Sequence, residues 1–525
     1  MLMPRIKECL AKYKTWIPLL ILTIALIATV IAAAGIENSQ AIPPEIAEHA
    51  KDWPLPNKDY NNTRATMDST INSTNVKSLV VAWSIPINAA GVFGSASSNP
   101  LIIGDTIFFQ DLSSNVFSLK LEDGSLNWKQ IYNLSTIGPN GPAVGWGKVF
   151  AAKGVYDIAA LDASTGEEIW ARNISTGKTV GIDIQPLVYG GAIYTSTVPG
   201  SSASDFYTGG GIGVIYALDQ KTGAKKWNFS TVDSPDIWGN KEVNSGGGCW
   251  YTPSLDLKTG ILFWGVGNPA PWPGTKEYPS GSSRPGANLY TDCLLAINSG
   301  SGKLVWFSQA NAHDIFDHDF QIPPILANAD IGGKNQDIVL GAGKLGKVFA
   351  FNRSTGAILW ITAVGEHLND QLASVSNETT KVYPGYFGGV ETPMAYADGV
   401  VYVPYVDLYV NYTGSMMLDS QKFNEGKGGL AAIDVETGKI LWDKKYDSLN
   451  VGGATVVNDL VFTATFDGTI YAIKRNSSEV VWQYKAPAGV NAWPAVANDV
   501  IVWPCAASGE PSLLALRLPA KMSGQ

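Results

Sequence analysis

"IAALDASTGEEIW", Ile158 to Trp170, is a short apolar strand, a turn around Thr-Gly, a second strand and a closing tryptophan. Apolar residues alternating with period two on either side of a glycine-containing turn mark a β-hairpin. The phrase returns as "IYALDQKTGAKKW" ending at Trp227, "LLAINSGSGKLVW" at Trp306, "VFAFNRSTGAILW" at Trp360 and "LAAIDVETGKILW" at Trp442. Weaker copies are "FSLKLEDGSLNW" at Trp128 and "YAIKRNSSEVVW" at Trp482. An eighth assembles from the two ends of the chain. "NVKSLVVAW" supplies the tryptophan strand to Trp83, and "SLLALRL" near the C-terminus supplies its partner.

A ring of such units closed by pairing both termini in one sheet is an all-β fold, an eight-bladed β-propeller. Closure also protects the strand edges that an open array would expose. A tryptophan at the same place in every repeat reads as a packing anchor between blades. Two intervals, Trp227 to Trp306 and Trp360 to Trp442, are far longer than the ~40–45 residues of a minimal blade. They therefore carry extra loops, and sites are usually built on loops held by a rigid scaffold.

Bulk properties exclude one class of partner. The 525 residues carry a net charge of −9, with 37 Lys and Arg against 46 Asp and Glu. There is no basic run beyond residue 14, so no nucleic acid is expected. Residues 15–36, "TWIPLLILTIALIATVIAAAGI", hold no charge and reach ~30 Å as a helix, one bilayer core. Arg5, Lys7, Lys12 and Lys14 precede them. The positive-inside rule then makes residues 1–14 cytoplasmic and residues 15–36 a transmembrane signal anchor, with everything beyond outside the cell. Residues 37–51 read as a linker and 52–525 as the propeller. The competing reading is a cleaved secretory signal.

Nine Asn-x-Ser/Thr sequons, at Asn61, Asn72, Asn133, Asn173, Asn228, Asn352, Asn377, Asn411 and Asn476, fit an extracellular glycoprotein, although at any single site a Ser/Thr/Asn-rich surface that generates sequons by chance is the better reading. Cys249, Cys293 and Cys505 would also lie outside, where a disulfide can persist. Three cannot all pair internally, and Cys249 could pair with either of the others. No CxxCH is present, so no haem site is encoded.

The chemistry concentrates in "AHDIFDHDF", Ala312 to Phe320, at the end of the first long interval. On an extended backbone Asp317 and Asp319 point to the same side. Two carboxylates there repel unless a cation or a proton sits between them. The bland reading is an Asp-rich turn whose carboxylates cap backbone N–H groups.

Several stretches resemble a known family. "DWPLPNKDYNNTRATMDSTINSTNVKSLVVAW", Asp52 to Trp83, is similar to the opening of quinoprotein dehydrogenases of the alcohol and methanol type. "GGGCWYTPSLDLKTGILFWGVGNPAPW", Gly246 to Trp272, and then "RPGANLYTDCLLAI" and "HDIFDHD" extend the likeness over the chain after the anchor. The resemblance implies an eight-bladed propeller that oxidises alcohols with pyrroloquinoline quinone (PQQ) and a calcium or lanthanide ion. It makes Trp250 the floor under the quinone and Asn268 a metal ligand. Asp317 is then the base that takes the alcohol proton, Asp319 an added ligand, and Lys344 the basic residue facing the reactive quinone oxygen. Hard cations do prefer such oxygen ligands.

The first half departs from the family pattern. "NLSTIGPNGPAVGW", Asn133 to Trp146, lacks the adjacent cysteines and the Arg that the family carries there. Thr195 to Gly213 lacks the ligand Glu, with Asp205 the one acid available, and Asp183 stands where the family has a Thr.

The expected function is a membrane-anchored quinoprotein dehydrogenase for a small alcohol-type substrate. It would pass electrons to an external acceptor, a membrane quinone or a carrier protein. The alternative is a non-catalytic surface propeller serving as a binding or scaffolding module. A hydrolase fits poorly, since there is no GxSxG elbow and only His49, His313, His318 and His367 supply imidazole.

Overall fold

The computed structural model describes residues 41–175, 177, 180–200, 209–418 and 422–519. The anchor expected over residues 15–36, and Asp205, lie outside the described residues. No helix among the described residues is long and apolar enough to cross a membrane. They form an all-β, propeller-like fold of antiparallel sheets.

Eight of the sheets have four or five strands, and each repeat contributes one hairpin to a sheet. One sheet runs Leu101–Ile103, Thr106–Gln110, Val116–Lys120 and Leu126–Gln130, and the others repeat its order. The tryptophan strand is the last in every one. As expected from the two ends, Val80–Pro86 pairs antiparallel with Ser512–Arg517, from Val80 opposite Arg517 to Pro86 opposite Ser512.

The repeat phrase has a physical explanation in three parts. The residue before each turn folds it locally: Asp162 Oδ1 accepts the N–H groups of Ser164 and Thr165, and Asp219, Asn298, Asn352 and Asp434 do the same in their turns. The turn glycine has positive φ, +77° at Gly166 and +68° at Gly223. The tryptophan of the preceding sheet then lies on that glycine, so that a Cβ on Gly223 would come within 2.8 Å of the Trp170 ring.

Seven of the eight indole N–H groups, all but that of Trp482, finish the contact on a carbonyl of the next sheet. Trp83 donates to Leu121, Trp128 to Ala163, Trp170 to Gln220, Trp227 to Ser299, Trp306 to Arg353, Trp360 to Val435 and Trp442 to Arg475. The tryptophans are therefore inter-sheet anchors. Each of these seven buries a large apolar ring while keeping its polar edge satisfied.

The segment read as a linker carries a short helix, Pro44–Glu48. It packs Ile46 into the core, and Glu45 accepts hydrogen bonds from the Trp146 and Gly147 amides. The two long intervals hold the expected extra structure. The first adds a small sheet of Ser245–Gly246 and Pro269–Ala270; the second adds one of Thr380–Val382, Val410–Thr413 and Met416–Met417.

Candidate active site

Three loops meet on one cluster. The segment 314–319 is not extended, because Asp317 sits in the left-handed region at φ +65°. Asp314 imposes the bend: its carboxylate accepts the N–H groups of Phe316 at 2.9 Å and His318 at 2.7 Å. The capping reading thus holds for Asp314, and in part for Asp319, whose Oδ1 accepts a backbone N–H, while Asp317 caps none of the described backbone groups. The Asp319 carbonyl accepts the Lys344 amide at 2.9 Å, where a Cβ on Gly343 would lie 1.8 Å from that oxygen. Gly343 is required for this approach. On the third side, Asp319 Oδ1 accepts the Asn268 amide at 2.6 Å.

Lys344 reaches into the gap between the two acids. Its Nζ stands 2.7 Å from Asp319 Oδ2 and 2.9 Å from Asp317 Oδ2. This answers how the acids tolerate each other, since an ammonium lies between them. Burial raises the Asp317 pKa well above the carboxylate range, and Lys344 opposes that rise. For Lys344, burial works to lower the pKa, but Asp317 and Asp319 outweigh it and hold the ammonium well above its ordinary value.

Two cavities flank this cluster and share Val92, Phe93, Trp250, Lys344 and Phe387 in their walls. Gly267 gives Trp250 its place: a Cβ there would come within 3.2 Å of the indole nitrogen and 2.6 Å of Asp319 Oδ1. The first cavity adds Ser97, Asp319, Gln321, Glu391, Thr392 and Asn491. Ser97 Oγ, Gln321 Oε1, Glu391 Oε1, Thr392 Oγ1 and Asn491 Oδ1 are buried without a hydrogen-bond partner in the protein. Buried polar atoms are normally paired, so five orphans on one cavity mark a place for a polar ligand. The second cavity is bounded by Asp317 and Asn268 together with Ala270, Trp272, Tyr386 and Met417.

The structure therefore brings together all five residues expected from the sequence: Trp250, Asn268, Asp317, Asp319 and Lys344. They fit the family's cofactors. Trp250 lies in the wall common to both cavities, and the orphaned atoms would meet a planar ligand's polar edge. Asp319 and Asn268 offer hard oxygen donors of the kind a calcium or lanthanide ion takes. Among the described residues no three His, Cys, Asp or Glu side chains converge as a metal site on their own.

Sequence reasoning missed two residues. Glu391 lines the first cavity, and burial raises its pKa to about 8, with Lys344 pulling it down and Asp319 pushing it up. Its one signal was a lone acid in the otherwise uncharged "GGVETPMAY". Arg284 is fully buried and donates to the carbonyls of Pro271 at 3.0 Å and Asp314 at 2.6 Å, and to Asn288 Oδ1 at 2.7 Å. It ties the loop carrying Asn268 to the loop carrying Asp317.

One expectation is corrected. Cys249, Cys293 and Cys505 are all free. Each fills an apolar core position as a small hydrophobe, and burial pushes each thiol pKa up. Asp183 is fully buried, does not line either cavity, and its Oδ1 accepts the Gly138 amide at 3.3 Å.

Comparison with known proteins bears on the family likeness and the fold. Residues 171–367 match the family profile described as the glucose/ethanol/alcohol dehydrogenase β-propeller domain. Residues 425–516 match that of the outer membrane protein assembly factor BamB. The quinohemoprotein alcohol dehydrogenase of Comamonas testosteroni is 25% identical over 85% of this chain and 71% of its own. The lanthanide-dependent methanol dehydrogenase of Methylacidiphilum fumariolicum is 25% identical over 88% and 86%. The crystal structure of the Comamonas enzyme superposes with a TM-score of 0.79 at 22% identity, covering 91% of this chain and 82% of that one. A europium-containing methanol dehydrogenase gives 0.78 at 20% identity, over 90% and 100%.

Proposed function

We propose, for a chain that belongs in sequence and fold with the PQQ-dependent alcohol and methanol dehydrogenases, that it oxidises an alcohol at the cluster of Asp317, Lys344 and Asp319. The observation that carries this reading is the convergence of those three residues beside Trp250, on the wall common to both cavities. PQQ, when bound, supplies the acceptor for the hydride lost from the alcohol carbon, and its calcium or lanthanide ion supplies Lewis acidity.

The chain's own residues do the rest. Trp250 offers the aromatic wall of the cofactor chamber. Asp319 and Asn268 are placed to hold the cation, and the hydrogen bond from the Asn268 backbone N–H to Asp319 Oδ1 fixes the distance between their loops. Asp317, once ionised, takes the hydroxyl proton on its carboxylate; burial favours its protonated form and Lys344 opposes that rise. The Val92–Phe93 segment lines both cavities.

The same reading extends to the setting. It takes the eight sheets as eight blades. It takes residues 15–36 as a retained anchor holding the propeller outside the membrane, with a membrane quinone or a carrier protein receiving the electrons. The uncharged stretch after four basic residues supports the anchor. The sequons support an extracellular face, except at Asn352, whose side chain caps its own turn and bonds Gln336.

The test titrates the purified full-length protein, stripped of metal, with PQQ plus calcium or lanthanum. Quinone absorbance and dye-linked alcohol oxidation are followed together. Saturable binding is expected, with activity that Asp317→Asn lowers by about 10²–10⁴-fold. Absence of quinone binding with either ion would leave the scaffolding alternative, which the BamB-like match over residues 425–516 favours.

A further inference from the structure

The two cavities differ in what they offer a ligand. Five orphaned polar atoms gather on the first, against the single Ser245 hydroxyl on the second. In the second, the charged and amide groups form one cluster, because Asp317, Lys344, Asp319 and Asn268 are linked by contacts of 2.6–2.9 Å. Beyond that cluster and the buried, unpartnered Ser245 hydroxyl, the remaining lining side chains are apolar or aromatic. Trp272 and Tyr386 pack 5.4 Å apart, Tyr386 and Phe387 4.4 Å apart, and Met417 packs on the same apolar cluster. These side chains come from the two long inter-tryptophan intervals, so the wall is an addition to the repeating scaffold.

We propose that this second cavity selects alcohols with a long or aromatic hydrocarbon body, which lies on Trp272, Tyr386, Phe387 and Met417 while its hydroxyl meets Asp317. The proposal rests on the dehydrogenase reading and adds the substrate class to it. A polyol or sugar would leave hydroxyl groups unpaired against these rings, which costs more than the contact returns. Methanol would leave the wall wet. Each methylene laid on it contributes a factor of about four.

Two measurements on the full-length protein separate this inference from the reading beneath it. The first is kcat/KM across methanol, ethanol, 1-butanol, 1-hexanol and benzyl alcohol with PQQ and metal supplied. A rise of about 50-fold from methanol to 1-butanol is expected, with glycerol poor. The second needs no cofactor: tert-butanol and 2-methyl-2-hexanol have no hydrogen on the carbinol carbon and cannot be oxidised. Their binding is read by tryptophan fluorescence, and the longer one is expected to bind about 50-fold more tightly. Met417→Ser should shrink both ratios severalfold.

A flat or falling series in both measurements overturns the inference and leaves the dehydrogenase standing. Graded binding of the tertiary alcohols with no alcohol oxidised under any metal supports the apolar pocket and overturns the dehydrogenase reading instead.

Discussion

Replacing Glu391 by glutamine isolates one buried charge. The glutamate's pKa moves from 4.5 to about 8 in the folded protein, driven first by burial. A raised pKa means that the folded state binds its proton more tightly than the unfolded state. The resulting stabilisation is complete below about pH 4.5 and fades as pH climbs to about 8. Near pH 8 the wild type has lost roughly 4 kcal/mol relative to a neutral side chain in the same place, at ~1.4 kcal/mol per pKa unit. Over residues 41–519, at ~2 cal/mol/K per residue, the unfolding entropy is ~1 kcal/mol/K. Glu391→Gln should therefore melt with the wild type at pH 5 and about 4 °C above it at pH 8, read by calorimetry on cofactor-free protein. Other titrating groups are common to both proteins and cancel in the difference. Two melting curves that stay parallel from pH 5 to pH 8.5 would refute the reasoning.

Three further outcomes follow from the packing. Gly223→Ala places a Cβ 2.8 Å from the Trp170 ring at φ +68°, and should cost about 2–4 kcal/mol in denaturant unfolding. Arg284→Met strips donors from the buried carbonyls of Pro271 and Asp314, at ~1–3 kcal/mol each, and is expected to lower melting temperature and alcohol turnover together. Thiol titration of denatured protein should give the same count before and after treatment with reductant, because Cys249, Cys293 and Cys505 are free.

Much of the architecture was legible because the repeat states its own physics. The Asp/Asn before the turn, the positive-φ glycine and the closing tryptophan form one contact, so their spacing could not vary. The pairing of both ends followed from the same count. The site was legible where a motif fixes backbone, as at Asn268 and Asp317. It was not legible where a residue acts through burial alone. Nothing local distinguishes Glu391 from a surface acid, and the partners of Arg284 lie 13 and 30 residues away in sequence. The cysteine reading failed for a related reason. An oxidising compartment permits a disulfide, but only Cα geometry decides whether two cysteines can meet.

The strand that seals the ring sets a schedule for synthesis. Val80–Pro86 emerges early, yet its partner Ser512–Arg517 is made some four hundred residues later. At ~5–20 residues per second it waits roughly 20–80 s with one edge unpaired. Val80 and Val81 remain half exposed even in the finished protein, so that waiting edge is an apolar one. A nascent chain stalled before residue 512 presents an open strand to its neighbours on the ribosome, and that interval, more than any weakness of the completed ring, is when this molecule is most prone to misassociate.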